Sequence, residues 1–497
     1  MRSEKEGSWS AVDKTRYADL RDWLKSVEKM GELKTLTGAH WDREIGAITD
    51  ILHHTQPSPA VLFDEIIDHS AGQRILVNAL HSRRRLAFTM GLPASVNDME
   101  LVEHLRDKLK SIRPISPTEV HTGPVLENVL TGKDIDILRF PAPKWHEHDG
   151  GRYIGTGCVV ITQDPDDGWV NLGTYRVMVH DRDTVGLYIS PGKHGRIHRE
   201  KCFSRGQPLK VAICLGHDPL LFLGSCMEIP YGLSEYDYIG GWRGSAVEII
   251  KGEFTGLPIP ARGEIVIEGD CRPDLRRDEG PFGEFTGYYA SSVRAEPVVK
   301  IKAIYHRDNP ILLGYPPTKP PNESIFAFSY YRSAMVWEEL ERAGVPDVTG
   351  VWAHRAGAAR MFTVVAIRQR YPGHARQAGL VAANCHANAY LGRFTIVVDD
   401  DIDITDIQDV IWALSTRCDP ETDLETIRRC WSGPLDPIIP KGKKGFNSRA
   451  VIDACRPFER MGEFPLVVGI SAQVREETLK KWGEKVFSGR SGRQQGF

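Results

Sequence analysis

Between residues 150 and 310 the chain breaks into short runs, GCVVITQ, VNLGTYRVMVH, TVGLYIS, KVAICLG, AVEIIKG, EIVIEGD and VVKIKAIYH, parted by Gly, Pro and Asp. Segments this short, rich in β-branched residues and bounded by turn formers, pair as strands. They predict an all-β or barrel-like middle domain, and the rest of the chain has to fold beside it.

The flanks have a different texture. Upstream, apolar residues recur at helical spacing over 16–36 (Leu20, Trp23, Leu24, Val27, Met30) and 43–54 (Ile45, Ile48, Ile51, Leu52), with a third helix over 97–112. The short apolar runs AVLF (60–63) and RILVNAL (74–80) between them make this a small α/β domain, 1–113. Pro114, Pro117, Pro124, Pro141 and Pro143 mark a connector from Arg113 to about Trp145. The middle domain is then 114–310. From 311 the chain alternates again: FTVVAI and FTIVVDDDIDI read as buried strands with the helical HARQAGLVAANCHANAY between them, a second α/β domain over 311–470. The remainder, 471–497, carries a helix with Leu479, Trp482 and Val486 on one face, suited either to an oligomer contact or to packing on its own domain.

Composition narrows the function classes. The 497 residues are 41% hydrophobic and 26% charged, with a formal charge of -3, which gives no reason to expect a nucleic-acid partner. No apolar run approaches the roughly 20 residues of a membrane span, and the first residues, MRSEKEGSWS, contain no signal-peptide core. The nine cysteines are scattered without a CxxC pair, the pattern of buried thiols in a reducing cytoplasm. GxGxxG, GxxxxGK[ST] and GxSxG are all absent, so the usual phosphate cradles and nucleophile elbow are missing. His146-Glu147-His148 resembles a metal cluster, and an extended segment would put both histidines on one face, but without HExxH spacing the favoured reading is a solvated loop beside Asp149-Gly150-Gly151.

Four segments carry candidate chemistry. In DEGPFGEFTGYY (278–289), Gly280, Pro281 and Gly283 lie between Glu279 and Glu284 and force a turn. Such a turn can aim both carboxylates into one cavity for proton transfer, or leave both in solvent. In WVNLGTYRVMV (169–179), a strand reading places Asn171, Gly173 and Tyr175 on one face and Leu172, Thr174 and Arg176 on the other. An arginine in an apolar strand needs a counter-charge or a place at the barrel rim, and a Glu–Arg–Glu relay would supply the first. SPGKHGRIHREK (190–201) places His194 after a Gly-containing turn, and PYGLSEYDYIGG (230–241) places Glu235 in a loop. Asn171, His194 and Glu235 together would be an O, N, O donor set, suited to Mn²⁺ or Mg²⁺, but spacing alone does not single out this trio, and each residue by itself is more often a structural polar group.

Taken in order with FPAPKWHEHDGGRYIGTG, IVVDDDIDI, DVIWALSTR and KGFNSRAVIDAC, these segments resemble the UbiD family of prenylated-FMN-dependent decarboxylases over roughly residues 140–455. The resemblance implies an N-terminal α/β domain, a central split β-barrel like that of flavin reductases, and a C-terminal α/β domain with a terminal helix reaching a partner subunit. It implies that Asn171, His194 and Glu235 hold Mn²⁺ (or Mg²⁺) against the flavin phosphate, with Lys193 nearby, and that Trp169, Ser225, Met227 and Glu235 border a K⁺ site. It also implies a catalytic set of Arg176, Glu279 and Glu284, with Glu284 as proton donor.

The implied reaction is reversible, non-oxidative decarboxylation of an aromatic, heteroaromatic or α,β-unsaturated acid. A flavin prenyltransferase would supply the cofactor, and the protein would be a cytoplasmic homodimer or homohexamer. Lys193, Phe285 and the loop GYPPTKPPNESIF (314–326) are the substrate-pocket candidates, and a (hetero)aromatic acid is favoured over a cinnamic-type one. The competing readings are an NAD(P)H-dependent flavin reductase on the same barrel, a non-catalytic assembly subunit, and a hydrolase using the metal directly.

Overall fold

The computed structural model describes residues 17–289, 292–433, 435–440 and 445–487. The chain divides into two units, one running to Tyr331 and taking in a short return segment that ends at Pro440, the other beginning at Arg332. It is mixed α/β as expected, with a curled, half-barrel central sheet.

The N-terminal part of the first unit is built on a four-stranded sheet in the order Leu33–Thr37, Ala60–Asp64, Arg74–Val77, Ile311–Leu313. The helix Leu20–Lys29 begins where the Asp19 side chain accepts the Asp22 N–H, and buries Leu20, Trp23, Leu24 and Val27. Burying four such side chains contributes on the order of 1.5–3 kcal/mol each. This helix is shorter than the periodicity over 16–36 predicts. Gly31, at φ +73, ends it and turns the chain into a strand. Residue 16 and the rest of the N-terminus lie outside the described residues. The helices Glu44–His53 and Asp98–Ser111 match their expected spans, the second with an Asn97/Glu100 capping box. Ile311–Leu313, assigned from sequence to the C-terminal domain, pairs in parallel with Arg74–Leu76 and completes the N-terminal sheet.

The central sheet runs, by residue range, Arg152–Gly155, Arg176–Asp181, Thr184–Tyr188, Arg294–His306, Ile265–Glu279, Leu209–Leu215, Cys158–Gln163, Val170–Gly173. Asn128–Thr131, inside the expected connector, adds to Arg294–His306. Two links show how far the sheet curls. Only Thr156 and Gly157 separate Arg152–Gly155, at one edge, from Cys158–Gln163, next to the other edge. Only Thr174 and Tyr175 separate Val170–Gly173, at that other edge, from Arg176–Asp181. Three peptide steps reach at most about 11 Å, so the two edges face each other across a narrow seam. The single strand expected over 169–179 is therefore two strands on opposite sides of the seam. The inside is apolar: Val160, Val177, Leu187, Ile213, Ile267 and Val299 belong to one buried cluster.

In the second unit a five-stranded sheet runs Val348–Ala353, Phe362–Ile367, Phe394–Asp399, Phe446–Asp453, Leu424–Trp431. The helix His374–Asn384 crosses between the two central parallel strands as the sequence suggests. It lies close to the sheet at Gly379, where a Cβ would come within 2.4 Å of Val451. The terminal helix spans Ala472–Phe487, with Leu479, Trp482 and Val486 all exposed; the tail beyond it lies outside the described residues. No helix among the described residues is long and apolar enough to cross a membrane.

Candidate active site

Arg176 opens its strand directly opposite Tyr188, and Glu279 ends its strand directly opposite Arg294. Directly paired residues share a sheet face. Arg176, Tyr188, Arg294 and Glu279 therefore project from four adjacent strands toward one side. Arg176 donates Nε–H to Glu279 Oε1 at 2.7 Å and Nη2–H to Glu279 Oε2 at 2.8 Å. Nη1–H reaches Glu284 Oε1 at 3.1 Å. The Glu279 side chain is 1% exposed and Arg176 10%, so this is a buried, bidentate pair with two further supports. Tyr153 Oη donates to Glu279 Oε1 at 3.3 Å, and the guanidinium stacks on Tyr188 at 4.5 Å.

Glu284 is held differently. Its side chain keeps 16% exposure and only one arginine N–H. Burial pushes its carboxyl up to about 7; Arg176 opposes the rise, Glu279 adds to it, and Arg294 opposes it. A carboxyl poised there exchanges its proton near neutral pH, as general acid–base work requires.

The Glu-Gly-Pro-Phe-Gly-Glu turn behaves as its sequence requires. Gly280 takes φ +88 and Gly287 φ +84, conformations that favour glycine. Gly287 also lies so near the 314–326 loop that a Cβ would stand 2.9 Å from Lys319 Cα. That loop thus packs on the turn carrying Glu284. Phe285 is half-buried beside Glu284, whereas Phe282 is the ring near Arg176, at 5.6 Å.

A second group forms across the seam. Asn171 Nδ2–H donates to Tyr175 Oη at 3.2 Å, and the same oxygen accepts Gly195 N–H at 3.1 Å, tying Asn171 to the start of the helix His194–Ser204. Glu235 Oε2 accepts Leu172 N–H at 2.7 Å, and the Trp169 ring lies 4.9 Å from His194. Asn171, His194, Glu235 and Trp169 are thus brought together. Glu235 is the first residue of the helix Glu235–Arg243, not part of a loop; Ser234 caps it by accepting Tyr236 N–H. Thr174 Oγ1 joins Ser225 Oγ at 2.8 Å, and Met227 caps the helix Pro219–Cys226, whose last turn holds Ser225. Lys193 is exposed at the start of the His194 helix. Tyr175 had no signal of its own in the sequence. Gly173 and Gly195 are the trace it leaves, since a Cβ on either would come within 2.6 Å of its ring.

Glu235 is 3% exposed, and among the described residues no basic side chain is ion-paired with it. Burial raises its carboxyl to about 7, with the Leu172 N–H opposing. Burial, then the Lys193 charge, keeps His194 below its ordinary value and so neutral. An uncompensated buried carboxylate, a neutral imidazole and an amide beside them fit a hard divalent cation. Among the described residues no group of three or more His, Cys, Asp and Glu side chains is arranged to hold a metal ion, and His146-Glu147-His148 is not such a group.

The sequence matches three family models in succession: the N-terminal domain of 3-octaprenyl-4-hydroxybenzoate carboxy-lyase over residues 24–109, its Rift-related domain over 118–320 and its C-terminal domain over 326–454. This chain belongs to the UbiD family. It is thereby a carboxy-lyase of the UbiD type. It is similar to a pyrrole-2-carboxylic acid decarboxylase of Pseudomonas aeruginosa, 33% identical over 90% of this chain and 92% of the relative. It is also similar to a phenolic acid decarboxylase of Bacillus subtilis, 30% identical over 95% and 98%. An evolved dimeric form of the UbiD-class enzyme HmfF from Pelotomaculum thermopropionicum, solved with prFMN, superposes with a TM-score of 0.79 at 27% identity, covering 94% of this chain and all of that one.

Proposed function

We propose that this UbiD enzyme catalyses reversible, non-oxidative decarboxylation of an aromatic or heteroaromatic carboxylic acid with prenylated FMN, and that Glu284 moves the proton. The observation that carries this reading is a carboxyl poised near neutrality, held by an arginine that a second glutamate pins on two sides. When bound, the prenylated flavin supplies the electron sink that an aryl C–CO₂⁻ bond lacks. The chain's residues do the rest. Neutral Glu284 gives its proton to the carbon that loses CO₂. The Nη1–H of Arg176 then stabilises the new carboxylate, and the reverse transfer runs through the same bond. Glu279 fixes the plane of the guanidinium, so Arg176 does not have to reorient when Glu284 changes charge.

Asn171, His194 and Glu235 would hold Mn²⁺, or Mg²⁺, against the cofactor phosphate. Trp169, Ser225, Met227 and Glu235 would border K⁺, and Lys193 would add positive charge. The five steps from Asn171 to Arg176 cover at most about 18 Å, so one segment can serve both the phosphate end and the reacting end of a bound flavin. The rings of Tyr188, Phe282 and Phe285 favour a flat acid, as does the likeness to a pyrrole-2-carboxylate decarboxylase. A flavin prenyltransferase would supply the cofactor, and the assembly would be a homodimer or homohexamer.

The test is co-expression with a flavin prenyltransferase, followed by a panel of aromatic and acrylic acids in D₂O. CO₂ release and deuterium uptake are expected from at least one (hetero)aromatic acid. No exchange on any acid, with the cofactor verified by mass spectrometry, would overturn the reading.

A further inference from the structure

The HEHDGG segment carries no metal cluster, yet its Asp149 side chain is fully buried. Both of its oxygens are engaged by the chain. Oδ2 accepts His146 N–H at 2.9 Å, with His146 Nδ1 3.6 Å away, and Oδ1 accepts the Tyr289 hydroxyl at 3.2 Å. The next residue, Gly150, donates its N–H to the Pro281 carbonyl at 2.8 Å, and Tyr153 Oη reaches the same carbonyl at 3.4 Å. Gly150 is obligatory there, because a Cβ would stand 2.0 Å from the Gly280 carbonyl oxygen.

These bonds grip the turn on both sides of Glu284, at Pro281 before it and Tyr289 after it. Inside the turn, Glu284 N–H donates to the Tyr288 carbonyl at 3.0 Å and Gly287 N–H to the Glu284 carbonyl at 2.8 Å. The backbone of Glu284 is therefore bonded to Tyr288, and the adjacent Tyr289 is anchored on Asp149. Burial, then Asp149, holds the Tyr289 phenol well above its ordinary range, so it stays a donor.

We propose that Asp149 and Tyr289 form a latch that positions Glu284 against Arg176, making Asp149 a positioning residue of the proton-transfer site. The inference rests on the decarboxylase reading for its effect on turnover, but not for its effect on Glu284. The charged groups facing Glu284 are Arg176 from one strand, Glu279 from a second and Arg294 from a third. Burial is the largest influence on its carboxyl, so a released turn lets water in and moves the titration down from about 7 toward 4.5.

Tyr289→Phe removes one hydroxyl from a residue that is 40% exposed, so folding is not at stake. The Glu284 titration, read by carboxyl infrared or carbon NMR and assigned by its loss in Glu284→Gln, is expected to fall by about one unit in Tyr289→Phe and in Asp149→Asn. Turnover of the holoenzyme is expected to fall about tenfold in each single variant, with KM and flavin content unchanged. The double variant should lose no more than the worse single one, because both act through one bond. An unmoved titration, or losses that multiply in the double variant, would overturn the latch. If wild type binds prenylated FMN but turns over no acid, the decarboxylase reading fails, and the titration still decides the latch.

Discussion

Two glutamates of this chain titrate near 7 for different reasons, and the contrast separates the two halves of the site. Glu284 is pushed up by burial while Arg176 and Arg294 pull it back, so its charge is balanced by the chain itself. Glu235 is pushed up by burial with only a backbone N–H opposing, and no basic side chain among the described residues pairs with it. The first arrangement suits a proton that comes and goes. The second suits a cation that arrives with the cofactor. Similar values thus report a finished network at one end and an unfinished one at the other.

The largest expected effect breaks the first network. Glu284→Gln should lower turnover by about 10²–10⁴-fold while flavin content stays at the wild-type level. Arg176→Lys comes next. A single ammonium cannot hold Glu279 on two sides and reach Glu284 as well, so turnover should fall about a hundredfold although the charge is kept. Substitutions at the other group should show the opposite pattern. Glu235→Gln, or chelation and dialysis of the wild type, should strip flavin and its visible absorbance, and Mn²⁺ should restore binding only to the wild type. If Glu235→Gln kept its flavin while Glu284→Gln lost it, the division of labour would be reversed.

The sequence made part of this division readable. Glu279 and Glu284 were visible because Gly and Pro between them allow only a turn, and Arg176 because a charge in an apolar run demands a partner. Tyr188 and Arg294 were not visible, since only strand register brings them to the face of Arg176 and Glu279. The break at Thr174–Tyr175 was hidden because neither residue is a glycine or proline that would mark a turn, while the seam is set by strands from 152 to 306. Helical spacing also ran past Gly31, where a positive φ ends the first helix. Asp149 and Tyr289 are 140 residues apart, and nothing local links them.

Stability against pH sharpens the contrast further. Both carboxyls sit above their ordinary 4.5, so each binds its proton more tightly in the folded chain. The resulting stability is complete below about 4.5 and is lost as pH rises through about 7. Thermal unfolding of the flavin-free protein should therefore come at lower temperature at pH 8 than at pH 6. Mn²⁺ should recover more of the loss at pH 8, where Glu235 is ionised, and none in Glu235→Gln. The smallest expected effect is at Arg294. It stacks on Tyr188 at 4.1 Å and lowers the Glu284 carboxyl from a distance. Arg294→Gln should move the Glu284 limb of the pH–rate profile upward by a few tenths of a unit, with Arg294→Lys close to wild type.

The most direct measurement is deuterium incorporation from D₂O into the decarboxylated product, comparing wild type with Glu284→Gln at equal prenylated-FMN content. Wild type should place one deuterium at the carbon that lost CO₂, and Glu284→Gln should lose nearly all of that incorporation along with turnover. Deuterium uptake at the wild-type rate in Glu284→Gln would contradict the assignment of the proton to Glu284.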